Sequence, residues 1–254
     1  MSELAILKKA YDNPFIQRMF LCLSQRVRGD FGLLHALIYA RSIDFYTRYR
    51  SIVTRLPPFS SVLDVGGGKI GIGAFLDSQH SVICLDLDPE IVKTAIGQRV
   101  VASAEALPFR SHSIATTISV DCLEHLPRHI RPAFMEEMKR VARERVLLHT
   151  PVHEFSWNTD LRFYQTHRRL FRSVDKAHAE HLKYVLPYTK ELTETFPEAQ
   201  IISDQNCSIT YILFVIQRIP IFGWLTGFLY LLFLKRLHDN PPFYGVLVVW
   251  RVPG

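Results

Sequence analysis

Residues Val62–Leu76 read VLDVGGGKIGIGAFL. The first four residues have the apolar grammar of a buried strand, and the rest is a glycine loop running toward a helical stretch. Glycine fits a strand-to-helix turn because it accepts positive φ and, having no Cβ, lets a ligand lie against the backbone. The next segment, SVICLDLDPE from Ser81 to Glu90, is a second strand ending in an acid. Asp86 follows Asp64 by 22 residues, close to the spacing of about 20 at which a carboxylate reaches the ribose hydroxyls of a nucleotide held on the loop. The loop is nevertheless written G-G-G-x-x-G-x-G rather than the G-x-G-x-x-G of dinucleotide sites. Asp64 also stands two residues before the first glycine, where a carboxylate suits a cation or an amine better than a pyrophosphate.

Working outward, short apolar runs alternate with helical stretches. Strands are expected at Ser61–Val65, Ser81–Asp86, Arg99–Ala102, Ile114–Val120 and Arg145–His149, with two more at Ala199–Asp204 and Tyr244–Val252. Helices are expected near Ile72–Ser78, Pro89–Ile96 and His129–Arg143. Alternation of this kind predicts βαβ units and a mostly parallel sheet with helices on both faces. Ligands of such a sheet bind outside the carboxyl ends of its strands.

The 254 residues allow one large α/β domain or two small ones. A hydrophobic fraction of 48% and a charged fraction of 21% exclude a disordered, collagen-like or coiled-coil chain. Residues 1–58 read as an N-terminal helical cap that stops at Leu56-Pro57-Pro58, because proline has no amide hydrogen and disfavours helix before it. The main domain is then 59–254. The net charge of +6 is peripheral: residues 1–58 hold nine basic and four acidic side chains, and residues 59–150 hold ten and eleven. No single basic stripe tracks a groove, so nucleic acid is not expected as a partner. Four dispersed cysteines form no framework and suggest a reducing setting. Asp12-Asn13-Pro14 interrupts what a secretion signal would need, so a cytoplasmic location is expected.

Three blocks in order, VLDVGGG, ICLDLDPE and ASAEALPFRSHSIATTISVDCLEHLP (Ala102–Pro127), resemble the class I S-adenosylmethionine-dependent methyltransferases. The likeness is greatest to the branch that contains the ubiquinone and menaquinone methyltransferases. It implies a Rossmann-like, seven-stranded, mostly parallel sheet and S-adenosylmethionine as cofactor. Carried over, Asp64 helps hold the methionine amino group through the loop, and Gly66, Gly67 and Gly68 admit the cofactor to the backbone. Asp86 accepts the ribose hydroxyls, Leu87 packs on adenine, and Ser103, Ala104 and Glu105 form the turn at the adenine edge. Val120 and Asp121 face the methionine part. Two departures stand out: Lys69-Ile70 lengthen the loop by one residue, and Ser103 replaces the aspartate usual in the branch.

Methyl transfer from a sulfonium needs alignment above all, and proximity and orientation supply roughly 7–11 kcal/mol. A base is needed only for an acceptor that arrives protonated. His125, just past the fourth strand, is the candidate for that role. No metal is expected, since Pro151 separates His149 and His153 and breaks the helix that would align them. The segment 151–198 reads as a cover, with Arg168 and Arg169 as possible contacts to an anionic or aromatic acceptor. An apolar helical insert is expected at 207–238. Its run IPIFGWLTGFLYLLFL (Ile219–Leu234) is 16 residues long, short of the ~20 that span a bilayer. Residues 219–236 suit surface contact with a membrane or the entrance for an apolar substrate. The expected acceptor is a small, amphipathic or lipid-like molecule. Two alternatives are a non-catalytic protein that binds the same cofactor and a nicotinamide-dependent oxidoreductase.

Overall fold

A computed structural model describes residues 43–68, 71–76, 80–93, 95, 97–218, 230 and 234–253. Its centre is a seven-stranded sheet in the order β3-β2-β1-β4-β5-β7-β6. The strands are β1 (Ser61–Val65), β2 (Ser81–Asp86), β3 (Gln98–Val101), β4 (Ile114–Val120), β5 (Ala142–Pro151), β6 (Gln200–Asn206) and β7 (Phe243–Arg251). β1 to β5 pair in parallel, and β7 runs antiparallel between β5 and β6. The expected sheet is therefore present, and three strands begin and end where the sequence places them.

The central strands are apolar on both sides because both faces of the sheet are covered. All seven residues of β4 are buried. Alternation along each strand assigns side chains to one face or the other. Leu63, Val65, Leu85, Val146 and Leu148 share a core with Phe134, Met135, Met138 and Val141 of α3 (Arg131–Val141). Val62, Cys84, Ile118, Val120 and Leu147 meet Tyr49 and Ile52 of α1 (Ile43–Val53) on the other face. Of the N-terminal cap, α1 and the residues up to Pro58 are described; the helices expected before residue 43 lie outside the described residues.

The three helices expected between the strands all shorten, that near His129–Arg143 running Arg131–Val141. After the glycine loop, Ile72–Ala74 forms one 3-10 turn; Gly71 and Gly73 favour a turn over a longer helix, since glycine disfavours helix interiors. The helix expected at Pro89–Ile96 is α2, Pro89–Val92. Gly97 follows with φ +115°, where a Cβ would lie 2.5 Å from the Val82 carbonyl, so the chain must turn there to enter β3.

The covering segment is helical: α4 (His153–Phe171), α5 (Lys176–Tyr184) and α6 (Thr189–Thr195). α4 buries Ser156, Asp160, Phe163 and His167, a spacing of four, three and four that makes one face. The insert begins with α7 (Cys207–Gln217), capped by the Asn206 side chain, which accepts from the amides of Ser208 and Ile209. It ends with α8 (Lys235–His238). Apart from Tyr230 and Leu234, the apolar run 219–234 lies outside the described residues. Among the described residues no helix is long and apolar enough to cross a membrane.

Candidate functional site

The carboxyl ends of β1, β2 and β3 bring the expected cofactor residues together. The chain leaves β1 at Gly66, whose amide donates to the Leu85 carbonyl at 2.8 Å. Gly66 and Gly68 have φ of +72° and +63°, values that glycine alone adopts without strain. A Cβ on Gly66 would meet Cys122 Sγ at 2.3 Å, whereas a Cβ on Gly68 would have nothing within 4 Å. Gly66 is thus packed and Gly68 faces open space. The Gly68 amide donates to Asp86 Oδ2 at 3.3 Å, which places loop and acid at one opening. Asp86 Oδ1 accepts from the Asp88 amide, fixing the carboxylate at the strand end.

Asp64 acts from beneath this loop. Its carboxylate is fully buried, and Oδ2 accepts from the Ile72 amide at 2.6 Å. Oδ1 has no partner among the described residues. Burial pushes the carboxyl up to about 7 against the effect of the Ile72 hydrogen bond. A Cβ on Gly67 would stand 2.4 Å from Oδ2, so the second glycine is required by Asp64 itself. Leu87 is 71% exposed and Val101 53% exposed, and Val101 is the strand partner of Asp86. Two apolar side chains thus stand in solvent beside the acid, as a flat base needs. Ser103 Oγ accepts from the Glu105 amide at 3.3 Å and closes the turn that contains Ala104. Val120 is buried at the end of β4.

Asp121 follows the last residue of β4. It sits at φ +49°, and its carboxylate is engaged by protein on both oxygens. Oδ2 pairs with Arg48 of α1, and Oδ1 is 2.7 Å from His149 Nδ1. The other ring nitrogen of His149, Nε2, lies 3.0 Å from Asp204 Oδ1 of β6. Burial alone would raise the Asp121 carboxyl, but Arg48 and His149 hold it down to about 2. Burial alone would likewise lower His149, but Asp204 and Asp121 lift it to about 10. A charged imidazolium between two carboxylates therefore ties β4, β5 and β6 together. Both of its nitrogens are used, so it is not available to a metal shared with His153, whose ring stacks on Trp157 and Tyr188. Arg48 and Asp204 were not singled out in the sequence, because no local pattern links them to Asp121.

His125 lies in a 3-10 turn, Leu123–His125, directly after β4. Its Nδ1 is 2.9 Å from Glu180 Oε2, and its ring centroid is 4.8 Å from that of His181. Burial and His181 together hold it down to about 4, so the imidazole is neutral and a weak base at neutral pH. The neighbouring Glu124 is fully buried, as are Asp160 of α4 and, nearly so, His178 and His181 of α5. Sequence reading missed this group; the signal was His178-Ala-Glu-His181, two histidines three apart on one helix face. The basic residues of the cover point outward: Arg168 and Arg169 are exposed, and the Arg162 guanidinium lies over the Tyr211 ring at 4.3 Å.

Residues 63–149 match the family model described as a methyltransferase domain. No curated protein sequence matches the chain. A phosphoethanolamine N-methyltransferase 2 of Haemonchus contortus, in complex with S-adenosyl-L-methionine, superposes with a TM-score of 0.56 at 14% identity, over 92% of this chain and 60% of that one. The same enzyme in complex with phosphomonomethylethanolamine and S-adenosylhomocysteine gives 0.54 at 14%, over 81% and 52%. A SAM-dependent methyltransferase of Archaeoglobus fulgidus gives 0.52 at 14%, over 82% of this chain and 94% of that one. This chain thus spans little more than half of the Haemonchus chains and nearly all of the Archaeoglobus one. Residues 63–149 thus resemble a methyltransferase domain, and the chain shares the fold of these methyltransferase structures.

Proposed function

We propose that the protein binds S-adenosylmethionine at the Gly66–Asp86 opening and transfers its methyl group to a small, amphipathic or lipid-like acceptor. The observation that supports this most directly is the Gly68–Asp86 pairing. A glycine whose amide donates to the strand-end carboxylate, with no described atom within 4 Å of where its Cβ would be, lines that opening, inside the segment that matches a methyltransferase domain. The relatives of this fold include proteins bound to S-adenosylmethionine and S-adenosylhomocysteine.

The residues present fit that cofactor. Asp86 would accept from the ribose hydroxyls, exposed Leu87 and Val101 would flank adenine, and the turn at Ser103–Glu105 would border it. Asp64 would shape the loop on which the methionine part rests. When bound, the sulfonium supplies an already activated methyl group. The protein holds the acceptor in line, excludes water, and accepts a proton only if the acceptor arrives protonated. The engagement of Asp121 by Arg48 and His149 gives it an orienting role at the floor of the site.

An amphipathic acceptor is supported by the apolar composition of the insert and by exposed Ile212 on α7. The Haemonchus structure with phosphomonomethylethanolamine is an example of this fold with a small acceptor. The run 219–236 would bring the protein to a lipid surface or form the entrance for such a molecule. Mass spectrometry of lipid and small-molecule extracts, from cells with and without the protein, is expected to show one species lighter by a CH₂ group when the protein is missing. If no extract changes and the purified protein ignores anionic liposomes, this acceptor class is wrong.

The cofactor assignment has its own test. Asp86→Ala is expected to weaken S-adenosylhomocysteine binding by about 1.5–3 kcal/mol, the worth of a hydrogen bond to a charged group. Calorimetry that finds unchanged affinity in the variant would remove the ribose role. Calorimetry that finds no binding to the unaltered protein would remove the methyltransferase reading itself.

A further inference from the structure

We propose that Glu124, His125 and His181 form a site for a divalent transition-metal cation of the zinc type, between the end of β4 and the covering helix α5. The donor atoms of these three side chains lie within 4.8 Å of one another. Glu124 Oε1 and His181 Nε2 are buried and have no hydrogen-bond partner among the described residues. They face each other at 4.0 Å. That distance is too long for a hydrogen bond, which needs about 2.7–3.2 Å. It is the span that a cation bridges at about 2.0–2.2 Å from each donor. Leaving two such atoms unsatisfied in the interior is unfavourable, and a cation would remove that penalty.

The groups around the three donors support the same assignment. Each histidine has Nδ1 at a carboxylate, which leaves Nε2 as the nitrogen to offer an ion: His181 Nδ1 lies 2.7 Å from Asp160 Oδ2, and His125 Nδ1 lies 2.9 Å from Glu180 Oε2. Metal-bound histidines are oriented by outer carboxylates in this way. Asp160 is itself fixed by the Tyr244 hydroxyl, which donates to Oδ1 at 2.6 Å. Glu124 Oε2 accepts from the Thr150 hydroxyl at 3.0 Å, which leaves Oε1 for the ion. Asp160, His178 and His181 make a second, overlapping cluster. Its carboxylate is already occupied on both oxygens, so Asp160 is a positioning residue; His178, held by Asp175 at 2.8 Å, faces only that occupied carboxylate with its partnerless Nε2, 3.8 Å from Oδ1, and belongs to the surround.

Three protein ligands leave a coordination position for water or substrate, and His125, 29% exposed, marks the side from which it is reached. Two nitrogens and one oxygen suit zinc, iron or cobalt better than magnesium or calcium. If the methyl-transfer reading holds, the open position would receive the acceptor's oxygen and lower its pKa, which favours an acceptor with an ionisable hydroxyl. The metal site itself does not depend on that reading.

The full chain, stripped with a chelator and titrated with Co(II), is expected to bind one equivalent and to develop visible d–d absorption. Zn(II) should then abolish that absorption. Glu124→Gln, His125→Ala and His181→Ala should each weaken binding by more than about 100-fold, beyond the 10–100-fold typical of losing an outer partner. Asp160→Asn should fall in that outer range, and His178→Ala should retain the absorption. Circular dichroism identifies variants that fail to fold, and His125, the most exposed of the three ligands, provides the variant least prone to that failure. No absorption in the unaltered protein, or loss with His178→Ala and retention with His125→Ala, would overturn the assignment. S-adenosylhomocysteine calorimetry on the same samples reads the methyltransferase proposal separately, since metal and cofactor binding can each be present without the other.

Discussion

His149→Gln is expected to destabilise the protein by about 3–5 kcal/mol, the usual result of removing one partner from a buried ion pair. The total stability of a domain is about 5–15 kcal/mol, so this single change removes a large part of it. The imidazolium lies between Asp121 and Asp204 with no exposure, and glutamine replaces neither its charge nor both of its bonds. Arg48 would still compensate Asp121; Asp204 would lose its cation. The pH dependence has a definite sign. Folding raises His149 from 6.5 to about 10, so its contribution is complete below about pH 6.5 and declines as pH rises to about 10. Urea unfolding of the unaltered protein should therefore become easier between pH 7 and 10, and the variant should show a flatter profile. A variant within 1 kcal/mol of the unaltered protein, with the same slope, would mean that the imidazole is not charged in the fold.

The glycine loop gives the second large effect, through a contrast between neighbours. Gly67→Ala should abolish measurable cofactor binding, because its Cβ would sit 2.4 Å from Asp64 Oδ2. Asp64 cannot retreat, since it is fully buried and tied to the Ile72 amide. The overlap must be relieved by moving the loop. Gly68→Ala has open space around its Cβ and a φ of +63°, so its stability cost should be only about 1–2 kcal/mol. It should nevertheless block the cofactor, because the space it fills is where the cofactor would lie. Thermal melts with and without S-adenosylhomocysteine separate the two. Both variants should lose the stabilisation by ligand, and Gly67→Ala should also melt lower on its own. If Gly68→Ala keeps full ligand stabilisation, the cofactor does not lie against that residue.

What the sequence revealed follows physical range. β1, β2 and β4 were legible to the residue because each is a short apolar run buried on both faces and ended by glycine or acid. β5 was read too short at its start: α3 passes straight into the strand at Ala142, and the polar residues Arg143 and Glu144 conceal it. The helix after the loop was overestimated because apolar Ile72, Phe75 and Leu76 mimic helical spacing while two glycines oppose it. The meeting of glycine loop and Asp86 was readable because loop and acid come from adjacent strands at a regular interval. Arg48, Asp204, Asp160 and His181 were not, since each reaches the site from a separate element. His125 was noticed for its position, but its neighbours decide its chemistry, and they come from α5. The expectation that no metal is held rested on His149 and His153, neither of which belongs to the cluster that offers free donors.

The salt bridge from Arg48 to Asp121 bears on where the folded unit begins. The proline pair at 57–58 marks a convenient cut, and the strands beyond it contain every pairing of the sheet. A polypeptide trimmed to start at Phe59 would nonetheless leave the floor of the site without the guanidinium that neutralises it, and would expose the face that Tyr49 and Ile52 cover. The minimal unit is therefore defined by charge balance rather than by strand count, and shortened versions intended for expression or crystallisation should keep α1.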